Sequence, residues 1–255
     1  MNRKIAGAGV ALVGALIISG TTPAIAATSQ DTVSSATVKE LVMLNPGTSA
    51  GEITQNIKNY AQSQGISEAA AAKAALADAR SSAAEAKPAL LAKDSTLSLA
   101  SSSSGGSGTV TLGSAVRKGD IFVSPSSTLF INHGHTGIYY TPSVVVEAPG
   151  VGKLSRSIAT STYRVGKGAV KQYIRGTTTQ RSKAANLAFN SLRGKAYNTN
   201  FAFNKDAYAS KMNCSQLVWA AYKRATGIDL DGNGGPGVYP YNIKDSSKTV
   251  TYKVL

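Results

Sequence analysis

The chain has 255 residues, a formal net charge of +14, one cysteine and two histidines. That length accommodates one substantial domain with additional segments, and a single cysteine excludes an internal disulfide and the paired-cysteine spacing of structural zinc sites. Cys214 is therefore either a buried small hydrophobe or a thiol kept for its reactivity.

Residues 1–26 open with Arg3 and Lys4, continue as an apolar run and close on Ala24-Ile25-Ala26. This is the pattern of a secretory signal peptide cut before Ala27, with an uncleaved anchor as the alternative. It predicts a secreted, extracellular protein, with no transmembrane segment after cleavage because no later apolar stretch is long enough. Residues 27–94 read as a helical region that could be a propeptide, an anchor or a spacer. "TVKELVML" stops at Asn45-Pro46-Gly47, and the next pattern places Ile53, Ile57 and Tyr60 on one face and ends at Gly65. Ser67 then caps an alanine-rich segment. These helices hold few large apolar residues, so they could form a small bundle, dock on the next domain or stay loosely ordered. Residues 95–108, rich in Ser and Gly, read as a flexible linker.

Charge divides at this linker. Residues 27–108 carry six Lys/Arg against seven Asp/Glu, and residues 109–255 carry nineteen against six, a net +13. Such a surface favours anionic partners, of which peptidoglycan and the anionic polymers of a cell wall fit a secreted protein. Its basic residues are scattered and accompany no nucleic-acid-binding module, so no nucleic acid is expected as partner.

From Thr109 onward short strand candidates alternate with turns: "DIFVS", "TGIYY", "SVVVEA" and "AVKQYIRG". A helix follows, with Leu187, Ala188 and Leu192 on its apolar face and Gly194 as its stop. The segment after Asn213 forms another helix, ending near Gly227, and "TVTYKVL" reads as a last strand. Residues 109–255 are thus an α+β domain, expected as a monomer.

Asn213 is a good N-cap, and Gln216 three residues on approximates a capping box, which makes Cys214 the first helical residue. Unpaired N–H groups and the helix dipole favour a thiolate there. A thiolate nucleophile needs a base. His135 opens an apolar strand that would hold its ring on a rigid element, whereas His133, before Gly134, reads as a loop residue; two solvated loop histidines are the plain alternative. A metal site built on both histidines and Cys214 lacks a fourth ligand, so no metal and no cofactor are expected. Glu147 closes the apolar run "SVVVE", where a buried charge must be paired. Antiparallel pairing of "HTGIYY" with "SVVVEA" would make His135 and Glu147 cross-strand neighbours; the alternative is an edge-strand glutamate facing water. "DLDGNGG" places Asp229, Asp231, Asn233 and Gly234 as in a calcium loop, but position twelve is Pro240 rather than Glu, so a solvated turn is expected.

"GKAYNTNFAFNKDAYASKMNCSQLVWAAYKRATGIDL" resembles the cysteine-bearing half of NlpC-type papain-like cell-wall hydrolases, and "KGDIFVS…HGHTGIYYTPSVVVEAPG" resembles their histidine-bearing half. The cysteine half comes second here, an order similar to that of the circularly permuted papain-like amidases of the YiiX/YycO-like group, and "DLDGNGGPGVYPYNI" is similar to the same group. The resemblance implies a permuted papain-like (NlpC-type) fold, an antiparallel sheet with packed helices. It implies Cys214 as nucleophile, His135 as base, Glu147 as the residue that orients it, and Tyr197 as a tyrosine near the nucleophile that helps bind the oxyanion. Many permuted members have Glu two residues after the cysteine, where this chain has Gln216. The expected function is a cysteine amidase or peptidase that cleaves peptidoglycan peptides through a thioacyl-enzyme. A lipid or acyl-amide hydrolase or acyltransferase of the same fold, and a non-catalytic wall-binding protein, are the alternatives.

Overall fold

The computed structural model describes residues 32–85, 108–128 and 131–255. The expected signal peptide and all but Gly108 of the expected linker lie outside the described residues.

Three helices come first: α1 (Ser35–Leu44), α2 (Ala50–Gln64) and α3 (Glu68–Glu85). Ser49 accepts from the Glu52 N–H while the Glu52 carboxylate takes the Ser49 N–H, a full capping box, and Gly65 closes α2 in the left-handed region. The helices do form a bundle. Leu41, Ile53, Ile57, Ala71, Ala75 and Ala79 are buried between them. The alanines of α3 make up for the scarcity of large side chains by letting its neighbours approach closely.

The sheet follows: β1 (Thr109–Thr111), β2 (Ile121–Ser124), β3 (Ser127–Thr128), β4 (Ile131–Asn132), β5 (His135–Thr141), β6 (Val144–Glu147), β7 (Arg156–Ala159), β8 (Arg164–Gly166) and β9 (Val170–Ile174). Then come α4 (Thr178–Ser191), α5 (Cys214–Thr226), the short α6 (Pro240–Lys244) and β10 (Thr249–Val254). The six-stranded sheet runs β10-β9-β2-β5-β6-β7, with all neighbours antiparallel. Alternation along its strands gives it two buried faces. Ile121, Ile138, Val146 and Ile174 meet α4 and α5 on one face. Phe122, Tyr139 and Val145 meet Leu112, just after β1, and Val165 of β8 on the other. On α4 the buried residues are Ala184, Ala185, Ala188 and Leu192, whereas the expected face residue Leu187 is only half-buried. The helix turns its smallest side chains to α5, and close helix packing wins over burial of one leucine.

The bundle is docked on the second region, at the start of α5. Its apolar cluster continues into Phe201, Ala202, Tyr239 and Cys214 itself. The α1–α2 turn carries the polar part of the junction. The buried Asn45 donates to Leu41 O and accepts from the N–H groups of Phe201 and Ala202 at 3.2 and 3.1 Å. Thr199 donates to Gly47 O. On α3 the buried Asp78 accepts from Asn233 Nδ2 at 2.6 Å and from the Gly237 N–H, and burial raises its carboxyl to about 6. The "DLDGNGG" turn is therefore not simply solvated: Asp231 pairs with Lys205, Asp229 accepts from Trp219, and Asn233 reaches the bundle.

Asn45→Ala leaves two buried backbone N–H groups without their acceptor. It should lower the unfolding free energy by about 3 kcal/mol, read as a lower urea midpoint at unchanged m-value. An unchanged midpoint would mean that Asn45 does not hold this junction.

Candidate active site

Asn213 caps α5: its side-chain oxygen accepts from the Gln216 N–H at 2.9 Å and also receives Ser215 Oγ and Asn204 Nδ2. Cys214 is consequently the first helical residue, as the sequence suggested, and it is 1% exposed. The expected reciprocal half of the capping box is absent. Gln216 instead donates Nε2 to Asp206 O and accepts from Asn198 Nδ2 through Oε1. A neutral amide can do both; a glutamate at this position could not donate to a carbonyl. Gln216 thereby straps the 197–201 segment, which carries Tyr197, to the helix start.

His135 is the first residue of β5 and is paired in the sheet with Ser124. Its Nε2 lies 2.7 Å from Glu147 Oε2. Nε2 is thus committed to the carboxylate, and Nδ1 is the nitrogen left for Cys214, whose side chain is near enough to act on the imidazole's pKa. Burial lowers the imidazole's pKa, but the charge and hydrogen bond of Cys214 and those of Glu147 outweigh it and raise it to about 10.

The contact between His135 and Glu147 depends on a β-bulge. Thr141 faces Val144, yet Tyr139 faces Val145 and Gly137 faces Glu147, so Tyr140 is the extra residue. In an unbulged hairpin of the same turn, Glu147 would fall opposite Ile138 and point to the other side of the sheet from His135. With the bulge the two share a face as cross-strand neighbours, offset by two residues because Glu147 pairs with Gly137. Tyr140, stacked on Phe189 of α4 at 3.8 Å, occupies the bulge. The position paired with Glu147 is Gly137, where a Cβ would come within 2.7 Å of Phe122 and 2.9 Å of Val146 O.

Glu147 is not an edge residue. It lies between β5 and β7 and is 1% exposed. Its directly opposed residue on β7, Arg156, donates Nε to Oε1 at 2.9 Å, and Tyr163 donates its hydroxyl to Oε2 at 2.5 Å. Tyr163 Oη also lies 3.0 Å from His135 Nε2. Burial alone would raise the carboxyl, but His135, Tyr163 and Arg156 together hold it down at about 2. Tyr163 and Arg156 belong to no motif and went unnoticed in the sequence; only the pairing of "RSIA" beside β6 could have pointed to Arg156.

Tyr197 packs against the cluster that contains Cys214, and burial together with the charges at Cys214 and Glu147 keeps its phenol protonated far above its ordinary range. His135 and Tyr197 both line a cavity of about 50 Å³, which Pro46 and Phe201 also border. His133 is no solvated loop residue. It is 5% exposed, stacked on Phe201 at 4.9 Å, and borders the same cavity. Among the described residues no group of three His, Cys, Asp or Glu side chains is placed to hold a metal ion. The arrangement is that of a thiol, an imidazole and a carboxylate in series, at the start of a helix.

The sequence model of the permuted papain-like amidase enzymes (YaeF/YiiX, C92 family) matches residues 116–249. The uncharacterized protein YycO of Bacillus subtilis (strain 168) is 34% identical over 219 residues, which cover 85% of this chain and 86% of that protein. A crystal structure described as metalloprotein yiiX from Escherichia coli O157:H7 is similar over 55% of this chain and 97% of its own, at 16% identity and a TM-score of 0.38.

The pH dependence of stability follows from the two shifts. The raised His135 pKa contributes stability fully below its unfolded value of 6.5, and this is lost as pH rises through about 10. The lowered Glu147 pKa contributes above its unfolded value of 4.5, and this is lost as pH falls toward about 2. The stability difference between wild type and Glu147→Gln should therefore be greatest between these unfolded values and narrow on both sides. Denaturant titrations across pH will measure it, and a pH-independent difference would rule out the ion pair.

Proposed function

The chain belongs to the permuted papain-like amidase family, and from that membership we propose that it is a secreted cysteine amidase that cleaves amide bonds in cell-wall peptides. The observation that carries the cysteine mechanism is the 2.7 Å contact of His135 Nε2 with Glu147, on a ring whose other nitrogen is left for Cys214. The leader pattern of residues 1–26 supports secretion, and the +13 charge of residues 109–255 supports attraction to anionic wall polymers.

In this reading His135 Nδ1 takes the Cys214 proton, and Sγ attacks the amide carbonyl carbon. The carbonyl oxygen becomes an oxyanion, which accepts from the Cys214 backbone N–H at the helix start and from the Tyr197 hydroxyl. As the tetrahedral adduct collapses, the imidazolium gives its proton to the departing nitrogen. An amine leaves and a thioacyl-enzyme remains. Water then attacks the thioester, with His135 as base, and releases the acid and the free thiol. Glu147 holds the imidazole with Nδ1 toward the sulfur and stabilises its positive form, while Tyr163 and Arg156 keep that carboxylate ionised and fixed.

The test combines alkylation and hydrolysis. Iodoacetamide should modify Cys214 in the native protein, and the rate should drop by about tenfold or more in His135→Ala. On solubilised wall peptides, Cys214→Ala and His135→Ala should lower kcat/KM by at least about 10³-fold and Glu147→Gln by at least about 10²-fold. If Cys214 resists alkylation until the protein is denatured and wall peptides stay intact, the amidase reading fails and a wall-binding role takes its place.

A further inference from the structure

The mechanism leaves His133 unused, and its surroundings are unusual. Both ring nitrogens are buried, and neither has a hydrogen-bond partner among the described residues. The ring cannot readily turn away to find one. It is stacked on Phe201 at 16° between planes, with Tyr239 tilted behind it at 6.1 Å. The backbone beside it is fixed too, because Gly134 has φ +71° and a Cβ there would press on Pro240 and Tyr241 at 3.1 Å. A native fold that buries an imidazole without a partner leaves that bond for a ligand or an ordered water.

The cavity that His133 borders is the one bordered by His135 and Tyr197. Its remaining wall is Pro46 from the bundle, Pro149, Gly150 and Val151 from the β6–β7 loop, and Ser126, Gly134, Thr199 and Phe201. Among the described residues no Asp, Glu, Lys or Arg lines it, although residues 109–255 carry +13. The general basic field can draw in an anionic polymer, but nothing in this recess would neutralise a charged group once desolvated.

We infer that this recess is a substrate subsite for a small uncharged residue beside the scissile bond, and that His133 is the specificity-determining side chain that hydrogen-bonds it. The inference rests on the amidase reading only for what happens to the bond next to the bound residue. A cavity of about 50 Å³ suits a group of a few heavy atoms, such as a side-chain carboxamide or a methyl group beside a peptide amide. Burial holds the His133 pKa down to about 4. The neutral ring therefore offers one N–H donor and one acceptor nitrogen, the complement of an amide. The subsite is completed by the bundle: Asn45 holds the Phe201 and Ala202 backbone, and Phe201 in turn carries the His133 ring.

The chain has only two histidines, so selective labelling reads the subsite directly. The full chain carrying Cys214→Ala, with ¹⁵N-labelled histidine, would be titrated with N-acetyl-asparaginamide, N-acetyl-alaninamide, N-acetyl-aspartic acid amide and N-acetyl-lysinamide. The expected result is a saturable shift of the His133 ring signals with the two neutral probes, and binding at least about fivefold weaker for the two charged ones. His133→Phe, which keeps the stack and removes both nitrogens, should weaken the asparaginamide about fivefold or more, read on the His135 ring. His133→Gln serves the same purpose, with partial retention of binding expected, should the phenylalanine variant not fold. His133 signals that respond to no probe, charged probes that bind as tightly as neutral ones, or affinity unchanged in both variants would each overturn the subsite. Because the nucleophile is absent, these outcomes are independent of catalysis: a wild-type protein that binds neutral amides yet cleaves no wall peptide loses the amidase reading and keeps the subsite.

Discussion

Glu147 is an ionised carboxylate almost wholly removed from water, and the geometry of the site depends on how that charge is compensated. Three donors surround it, from β5, β7 and the segment before β8. Each comes from a different stretch of chain, so the carboxylate stays in place only when those stretches are in register. The bulge at Tyr140 is the device that sets this register, since it turns Glu147 to the face where His135 stands. A buried ion pair is weak evidence for net stability. Here its consequence is directional: it fixes which imidazole nitrogen faces the sulfur.

The second half of the site is organised by amides rather than charges. Asn213, Asn204, Asn198 and Gln216 form a chain of neutral donors and acceptors around the start of α5, and Asn45 extends it to the bundle. Neutral amides satisfy buried backbone groups without adding charges that would compete with the Cys214–His135 pair. The α1–α3 bundle makes the contacts of a docked layer, with Pro46 at the cavity wall and an apolar cluster that runs from its own core to Cys214.

What the sequence revealed follows from how local each signal is. Asn213 before an apolar periodic run marks the helix start, and a histidine opening one strand and a glutamate closing the next stand out against apolar neighbours. The strands that carry them were readable as short apolar runs bounded by turn residues. The bulge was not, because the extra residue in β5 is a tyrosine that is at home in any strand; only its stack on Phe189 shows why it is accommodated. His133 was misread because a histidine before glycine looks like a loop in sequence, and its burial comes from Phe201 and Tyr239, which are far along the chain. Asn45 was read only as a helix stop. Its two backbone partners belong to a segment without regular structure, which no periodicity marks. Tyr163 and Arg156 escaped for the same reason: their role exists only in the assembled sheet.

The bond from Asn45 to the Phe201 N–H joins residues 156 positions apart. Closing a loop of that size carries its entropic cost before any contact in it is gained, so contacts of this kind form late in folding. The bundle and the hairpin of β5 with β6 are local and can form early. The wall that joins them to α5 cannot. Assembly of the site is therefore the final event of folding rather than a property of either part, and during synthesis from the N-terminus the chain presents His135 well before Cys214. In a newly made molecule the two side chains stay apart until the distant halves have closed on one another.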